Sequence, residues 1–118
     1  MPERFEKACT HFDKGEYFEA HEEWEELWNE AYGPRHAFLQ GLIQVAVALH
    51  HARNGNFRGA HKLLAGALAY LEKGASDSSP VDVGKLRDFV LDFELAIQAI
   101  ESGKNKQLPF FKLPYAAS

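Results

Sequence analysis

A chain of 118 residues is long enough to bury a hydrophobic core as one domain without disulfides or a structural metal. Hydrophobic residues make up 46% and charged residues 25% of it, which is typical of globular proteins. The formal net charge of -4 argues against nucleic acid as a partner, because binding to phosphates requires a basic surface.

The single cysteine, Cys9, cannot form a disulfide within the chain, so a reducing cytoplasm is the expected compartment. The first residues do not form a basic and apolar leader, and we expect no secretory signal. The longest apolar stretch, residues 41–49, is interrupted by Gln44 and is too short to span a bilayer. We therefore expect a cytoplasmic protein that has no membrane partner.

Hydrophobic residues recur with a helical period along the whole chain, beginning with a first helix that ends at Gly15. The second helix is predicted from Glu16 to about Ala31, where Gly33 and the proline after it end the helical pattern. The third is predicted over residues 35–53.

The fourth helix is predicted to stop at Gly74, before the loop "GASDSS". The fifth should begin after that loop, with Ser79 as its N-cap and Pro80 at its first position. No strand pattern occurs, and short connections favour antiparallel neighbours. The prediction is an all-α fold, a compact antiparallel bundle of about five helices in one domain over residues 1–103.

The predicted third helix has no formal charge between Arg35 and Arg53 and carries apolar residues on every side. A helix that is apolar all round is normally central. Its polar positions form one stripe: Gln40, Gln44 and His51, with His36 beside them. Buried amides require hydrogen-bond partners, so this stripe should face a polar group.

An internal repeat with an offset of 40 residues relates "GEYFEAHEEWEELW" to "GNFRGAHKLLAGAL". The matches include Gly15 with Gly55 and His21 with His61. The repeat predicts two similar helical hairpins, residues 5–31 and 45–71, which should superpose with the two histidines at equivalent places.

On the second helix, His21 and Glu25 share one face at the flank of the aromatic side, one turn apart. If the second and third helices are antiparallel, this pair lies level with residues 41–45. We therefore expect both side chains to be largely buried, within hydrogen-bonding reach of each other or of Gln44. The other residues expected to line the site are Gln40, Trp28, Tyr17 and Cys9.

The stretch "FDKGEYFEAHEEWEELW", followed by "FLQGLIQVAVALHH" and "GNFRGA", resembles the bacterial and archaeal DUF309 family from about Phe12 to Leu71. The family motif His-x-x-x-Glu-x-x-(Trp or Tyr) falls here on His21, Glu25 and Trp28. The resemblance implies an all-helical fold and a candidate metal site, and it implies no particular reaction.

Two interpretations of the His21–Glu25 pair follow. In the first, both residues bind a divalent metal ion, and His61 is a conceivable further ligand. A stable site requires three or four donors, however, and Gln44 is a poor ligand for transition metals. In the second, the pair is a structural hydrogen bond within a helical interaction or scaffold domain. The sequence leaves open whether the chain is an enzyme.

The C-terminal tail, residues 104–118, contains "QLPFFKLPYAAS". Pro109 and Pro114 prevent a continuous helix, yet the tail is too apolar to be a solvated terminus. We expect an extended segment that packs on its own bundle or on a neighbouring subunit. The tail is thus a candidate contact for a homo-oligomer or a protein partner.

Overall fold

The computed structural model describes residues 3–75, 80–104, 107–110 and 112–115. Over these ranges the chain forms five α-helices: α1 (Glu3–Asp13), α2 (Tyr17–Trp28), α3 (Gly33–Arg53), α4 (Phe57–Lys73) and α5 (Val83–Glu101). The only strand-like pairing in the described ranges is an isolated antiparallel bridge between Val81 and Tyr115. The prediction of an all-α bundle is therefore confirmed.

Neighbouring helices run antiparallel, as contacts between their ends show for α2 and α3. Trp28, at the end of α2, stacks on His36 near the start of α3, with ring centroids 4.5 Å apart. Phe18, at the start of α2, lies 5.7 Å from His50 near the end of α3. Direction therefore reverses between these helices, as short connections favour.

Two chain reversals at the repeat offset have the same backbone geometry. Gly15 and Gly55 have φ values of 81° and 83°, a left-handed conformation that glycine adopts without strain. Each glycine N–H donates to the carbonyl three residues earlier, at 2.9 and 3.0 Å, and the next N–H donates to the carbonyl five residues earlier, at 2.9 and 2.8 Å. This is the Schellman motif. The superposition of the complete hairpins stays a prediction.

Helix α3 lies between α2 and α4, while α1 packs on α2 and α5 packs on α4. Ten of its residues are buried, among them Phe38, Leu42, Val45 and Leu49. None of the helices that the structure describes is long and apolar enough to cross a membrane.

Helices α3 and α4 approach most closely at glycines. A Cβ atom on Gly74, directly after α4, would lie 2.5 Å from the backbone nitrogen of Phe38. A Cβ atom on Gly41 would lie 2.7 Å from the side chain of Leu71. Both distances are far below van der Waals contact, so the small residues set the separation of the two helices.

The predicted start of α5 was wrong. Ser79 lies outside the described residues, and Pro80 precedes the helix by three positions. The N-cap is Asp82, whose side chain accepts a hydrogen bond from the Lys85 N–H at 3.0 Å. The backbone N–H of Asp82 donates to the Pro114 carbonyl at 2.7 Å, and Asp82 itself has an extended backbone. The end of α2 also differs, since that helix stops at Trp28 and not at about residue 31.

Replacing Gly74 with alanine should destabilise the protein by about 1–3 kcal/mol, because the new methyl group meets rigid backbone and must displace α3. The free energy of unfolding in urea, measured by circular dichroism, tests this expectation.

Gly84→Ala is the matched control, since the nearest atom to its Cβ would be Asp82 Oδ1 at 3.5 Å. This change should leave stability unchanged or raise it by about 0.5–1 kcal/mol through helix propensity. Equal losses in the two variants would contradict the close approach at Gly74.

Candidate functional site

His21 is oriented by the backbone of its own helix. Its Nδ1 atom lies 2.6 Å from the carbonyl oxygen of Phe18, and its side chain is 16% exposed. Because a carbonyl oxygen only accepts, Nδ1 carries the proton and donates it. The lone pair of a neutral imidazole is then on Nε2, which points away from that carbonyl and towards Glu25.

Glu25 lies beside His21, with 3.5 Å between Glu25 Oε2 and His21 Nε2. Its side chain is 54% exposed, so the expectation that both residues are largely buried was wrong for Glu25. Helix α3 covers the aromatic side of α2, and Glu25 lies on the rim beyond it. A carboxylate at that position stays hydrated. Burial would remove the water, which is costly unless other groups replace it as hydrogen-bond partners.

His21 and Glu25 are within reach of each other, and Gln44, the alternative partner, is directed elsewhere. Its Oε1 atom is buried and has no hydrogen-bond partner among the described residues. A Cβ atom on Gly66 would lie 2.6 Å from Gln44 Oε1, so the amide is directed at α4 and not at α2. The missing side chain at Gly66 leaves the space that the amide occupies. Gln40 lies on the same half-buried stripe of α3.

Further polar atoms without partners lie along the seam between α2 and α3. Trp28 Nε1 and His50 Nδ1 are buried and have no hydrogen-bond partner in the part of the chain that the structure describes. His50 contacts Phe18, whose ring also lies 4.8 Å from His21. A buried polar atom without any partner costs about 1–3 kcal/mol, so both atoms require a partner that the described residues do not supply.

Cys9 and Tyr17 lie next to the C-terminal tail. Tyr17 is buried between Phe12, at 5.1 Å between ring centroids, and the Arg53 guanidinium, at 4.7 Å from its ring. Cys9 is 3% exposed and interacts with Tyr115 of the tail. Their contacts are thus with Phe12, Arg53 and the tail, and a place at the margin of the His21 site stays a prediction for both residues.

The described tail residues lie on the bundle of their own chain, and Asp13 holds them there. Its carboxylate accepts hydrogen bonds from the Leu113 N–H at 2.8 Å and from the Tyr115 hydroxyl at 2.7 Å. Leu113 is buried, whereas Phe110 is 61% exposed. Sequence reasoning missed Asp13; the available signal was an acid at the end of α1 and a tyrosine in an apolar tail.

Burial governs ionisation near this contact. It raises the pKa of the Cys9 thiol from 9.0 to about 12, the carboxylates of Asp13 and Glu6 add to the effect, and a hydrogen bond between Cys9 and Tyr115 opposes it. Burial and the hydrogen bond to Asp13 likewise raise the pKa of Tyr115. Cys9 is therefore a protonated, unreactive thiol at neutral pH.

His61, the repeat mate of His21, binds partners on α5. Its Nε2 atom lies 2.8 Å from Glu101 Oε1, and its Nδ1 atom lies 3.9 Å from Glu94 Oε2. The carboxylates sit at opposite ring nitrogens, so they cannot share one metal ion with the imidazole. Two glutamates spaced seven residues apart, two turns of one helix, were the sequence signal for this contact.

The donor set at His21 does not match a resident metal site. Within the described ranges, no group of three or more histidine, cysteine, aspartate or glutamate side chains could hold a metal ion. His21 and Glu25 supply two donors, whereas structural zinc sites have four and catalytic zinc sites three. Any cation at this pair would take most of its ligands from elsewhere.

Comparison with known proteins places the chain in a family. A family model described as a domain of unknown function, DUF309, matches residues 5–63. The chain belongs to the DUF309 family. Over 97 residues it is 35% identical to the uncharacterized protein YpuF of Bacillus subtilis (strain 168), an alignment that covers 80% of this chain and 56% of that protein. The chain thus spans little more than half of that relative's length. No solved structure matches it.

The DUF309 match includes every candidate site residue but excludes α5 and the tail. The carboxylates that bind His61 and the backbone that binds Asp13 therefore come from outside the matched range. By contrast, Phe18 and Glu25, the residues that contact His21, both lie within the matched range.

Titration of Cys9 should make the protein less stable in alkali. The unfolded chain loses the thiol proton near pH 9 and the folded chain near pH 12, so stability falls as pH rises between these values. From pH 8 to pH 10 the loss from this one group should be about 1 kcal/mol. Urea unfolding at both pH values measures it.

Cys9→Ala is the control, because it retains Tyr115 and every other group that titrates in this range. The variant should lose about 1 kcal/mol less between the two pH values than the natural chain does. Parallel losses would show that Cys9 ionises equally well in the folded and unfolded states.

Proposed function

We propose that this DUF309 chain is a helical-hairpin interaction domain whose binding surface is the outer face of α2, α3 and α4. The outer face comprises the half-buried or exposed residues on the side of these helices away from α1, α5 and the tail, with these side chains at its centre: Phe18, His36, Gln40, Val47, His51 and Tyr70. The supporting observation is that α3, which has no charged residue between its two arginines, is only half-buried along this stripe.

A helix of this composition is normally covered on all sides. Here the described residues leave the stripe formed by Gln40, Val47 and His51 only half-buried. Phe18, on the neighbouring helix, is 49% exposed. A surface with aromatic and uncharged polar residues and no central charge has the composition of the core of a protein–protein interface.

The class of partner follows from charge and from Cys9. Helix α2 contains no lysine or arginine and the net charge is -4, so the proposed partner is a protein and not a nucleic acid. The proposed compartment is the cytoplasm, because the free thiol of Cys9 needs no oxidising environment. In this proposal His21 has a structural role. Its Nδ1–H donates a hydrogen bond to the Phe18 carbonyl of the same helix and so fixes the imidazole at the edge of α2.

A photo-crosslinking amino acid tests the interaction surface in cells. Benzoylphenylalanine in place of Phe18 should give a covalent adduct with a protein, either another protein or a second copy of this chain. The matched control is the same substitution at Leu95, a 63% exposed side chain on α5. Adducts of equal yield at the two positions, or none at position 18, would contradict the proposal.

A cation at His21 and Glu25 is the second candidate function. The favouring observation is the hydrogen bond from His21 Nδ1, which leaves Nε2 free beside Glu25; metal-binding histidines are oriented in this way. Water or a bound molecule would supply the remaining ligands, and binding would be weaker than at a closed site.

Elemental analysis and titration calorimetry with Zn²⁺ and Mn²⁺ test this second function. His21→Ala should abolish binding if the pair is the site. His61→Ala is the matched control, since His61 is the repeat mate and is bound to Glu101. Binding that survives His21→Ala, or an absence of metal in the natural protein, would leave only the structural role.

A further inference from the structure

The outer face carries opposite charges on its two edges. On the α2 edge, Glu22 and Glu25 are exposed. On the α4 edge, Lys62 and Lys73 are exposed, and Lys73 Nζ lies 5.7 Å from the ring centroid of Tyr70, a half-buried residue of this face. The acidic Glu72 points the other way, to a pocket between α4 and α5. The face is therefore negative at one edge, neutral in the middle and positive at the other edge.

Contacts with α3 give the height of each charge along the bundle. Trp28 lies opposite His36 on α3 and Phe18 opposite His50, so Glu25 is level with about residue 40 of α3. In the same way, Gly74 lies against Phe38, which places Lys73 level with about residue 39. Glu25 and Lys73 thus lie on opposite edges at nearly the same height, separated along α3 by about one residue rise of 1.5 Å.

This arrangement is complementary to itself under one two-fold rotation. If a second copy faces the first across an axis parallel to α3, then α2 of each copy lies over α4 of the other and heights are preserved. Glu25 of each copy then meets Lys73 of the other. An axis perpendicular to α3 would instead place the acidic edge of one copy on the acidic edge of the second, which electrostatic repulsion disfavours.

We propose that the outer face is a homodimer interface in which two α3 helices pack side by side in parallel, with Glu25 of each copy paired to Lys73 of the other. The uncharged stripe of each α3 covers that of its mate. This inference rests on the outer face being the interaction surface, and it names the partner as a second copy of this chain.

Charge reversal with rescue is the decisive experiment. Light scattering after size exclusion should give twice the chain mass of 13.3 kDa, and sedimentation should give the dissociation constant. Glu25→Lys and Lys73→Glu should each weaken the dimer by about tenfold or more, because symmetry places the change twice in the interface. The double variant should recover nearly the natural affinity, and added salt should weaken the natural dimer.

Two controls separate this effect from others. Glu19→Lys makes the same charge change at an exposed position on the far side of α2 and should leave the dimer unchanged. Lys73→Glu leaves the His21–Glu25 contact intact, so a loss of affinity in this variant is not a loss of that local pair. Circular dichroism confirms that each variant is folded.

A protein that stays monomeric at about 1 mM, far above cellular concentrations, would overturn the proposal. So would a dimer that Glu25→Lys strengthens, since that result indicates the perpendicular axis, or a dimer that is lost on truncation after Gly103, which indicates the tail. If the purified protein is monomeric while position 18 crosslinks to a different protein, the homodimer falls and the interaction function stands.

Discussion

The absence of charge on α3 is the constraint on which the other helices depend. Seventeen consecutive residues, from His36 to Ala52, carry no aspartate, glutamate, lysine or arginine. Such a helix is stable in water only when neighbours cover most of it, and α2 and α4 do so on its two sides. The glycines at the contact with α4 bring the backbones close enough to exclude water from that side. Only the stripe formed by Gln40, Val47 and His51 stays half-buried in the described ranges. In the proposed function, the composition of this stripe determines which partner the domain can bind.

The repeat explains how a short chain forms both neighbours of α3, the helices α2 and α4, with the same kind of turn before each. Each hairpin turns at a glycine with a left-handed backbone, and each turn is followed by a helix with a fully buried alanine, Ala20 or Ala60. The two histidines that follow these alanines have diverged in their contacts. His21 donates a hydrogen bond to the Phe18 carbonyl and lies beside the exposed Glu25. His61 instead contacts two carboxylates of α5. Equivalent backbone positions therefore carry different chemistry.

The helices and most of the core could be predicted from the sequence because the hydrophobic period is a property of each segment alone. The surroundings of His21 could not, because they depend on how far one helix is rotated against the next. A helical wheel places Glu25 on the flank of α2, but only the packing decides that α3 stops short of it. Likewise, the Gln44 amide points into the space beside Gly66, a residue 22 positions away in the sequence. The cap of α5 was mispredicted for a similar reason: Val81 and Asp82 are paired with the tail, a contact without a local signal.

The Asp13 contact has a consequence for the order in which the chain folds. Each hairpin closes through contacts between segments that adjoin along the chain, which form rapidly. The hydrogen bond between Asp13 and Leu113 instead joins residues separated by 100 positions, and that with Tyr115 by 102. Closing so long a loop costs entropy that only an already assembled bundle can offset. We therefore expect the tail to dock last and to detach first, so that opening events that expose Cys9 begin there.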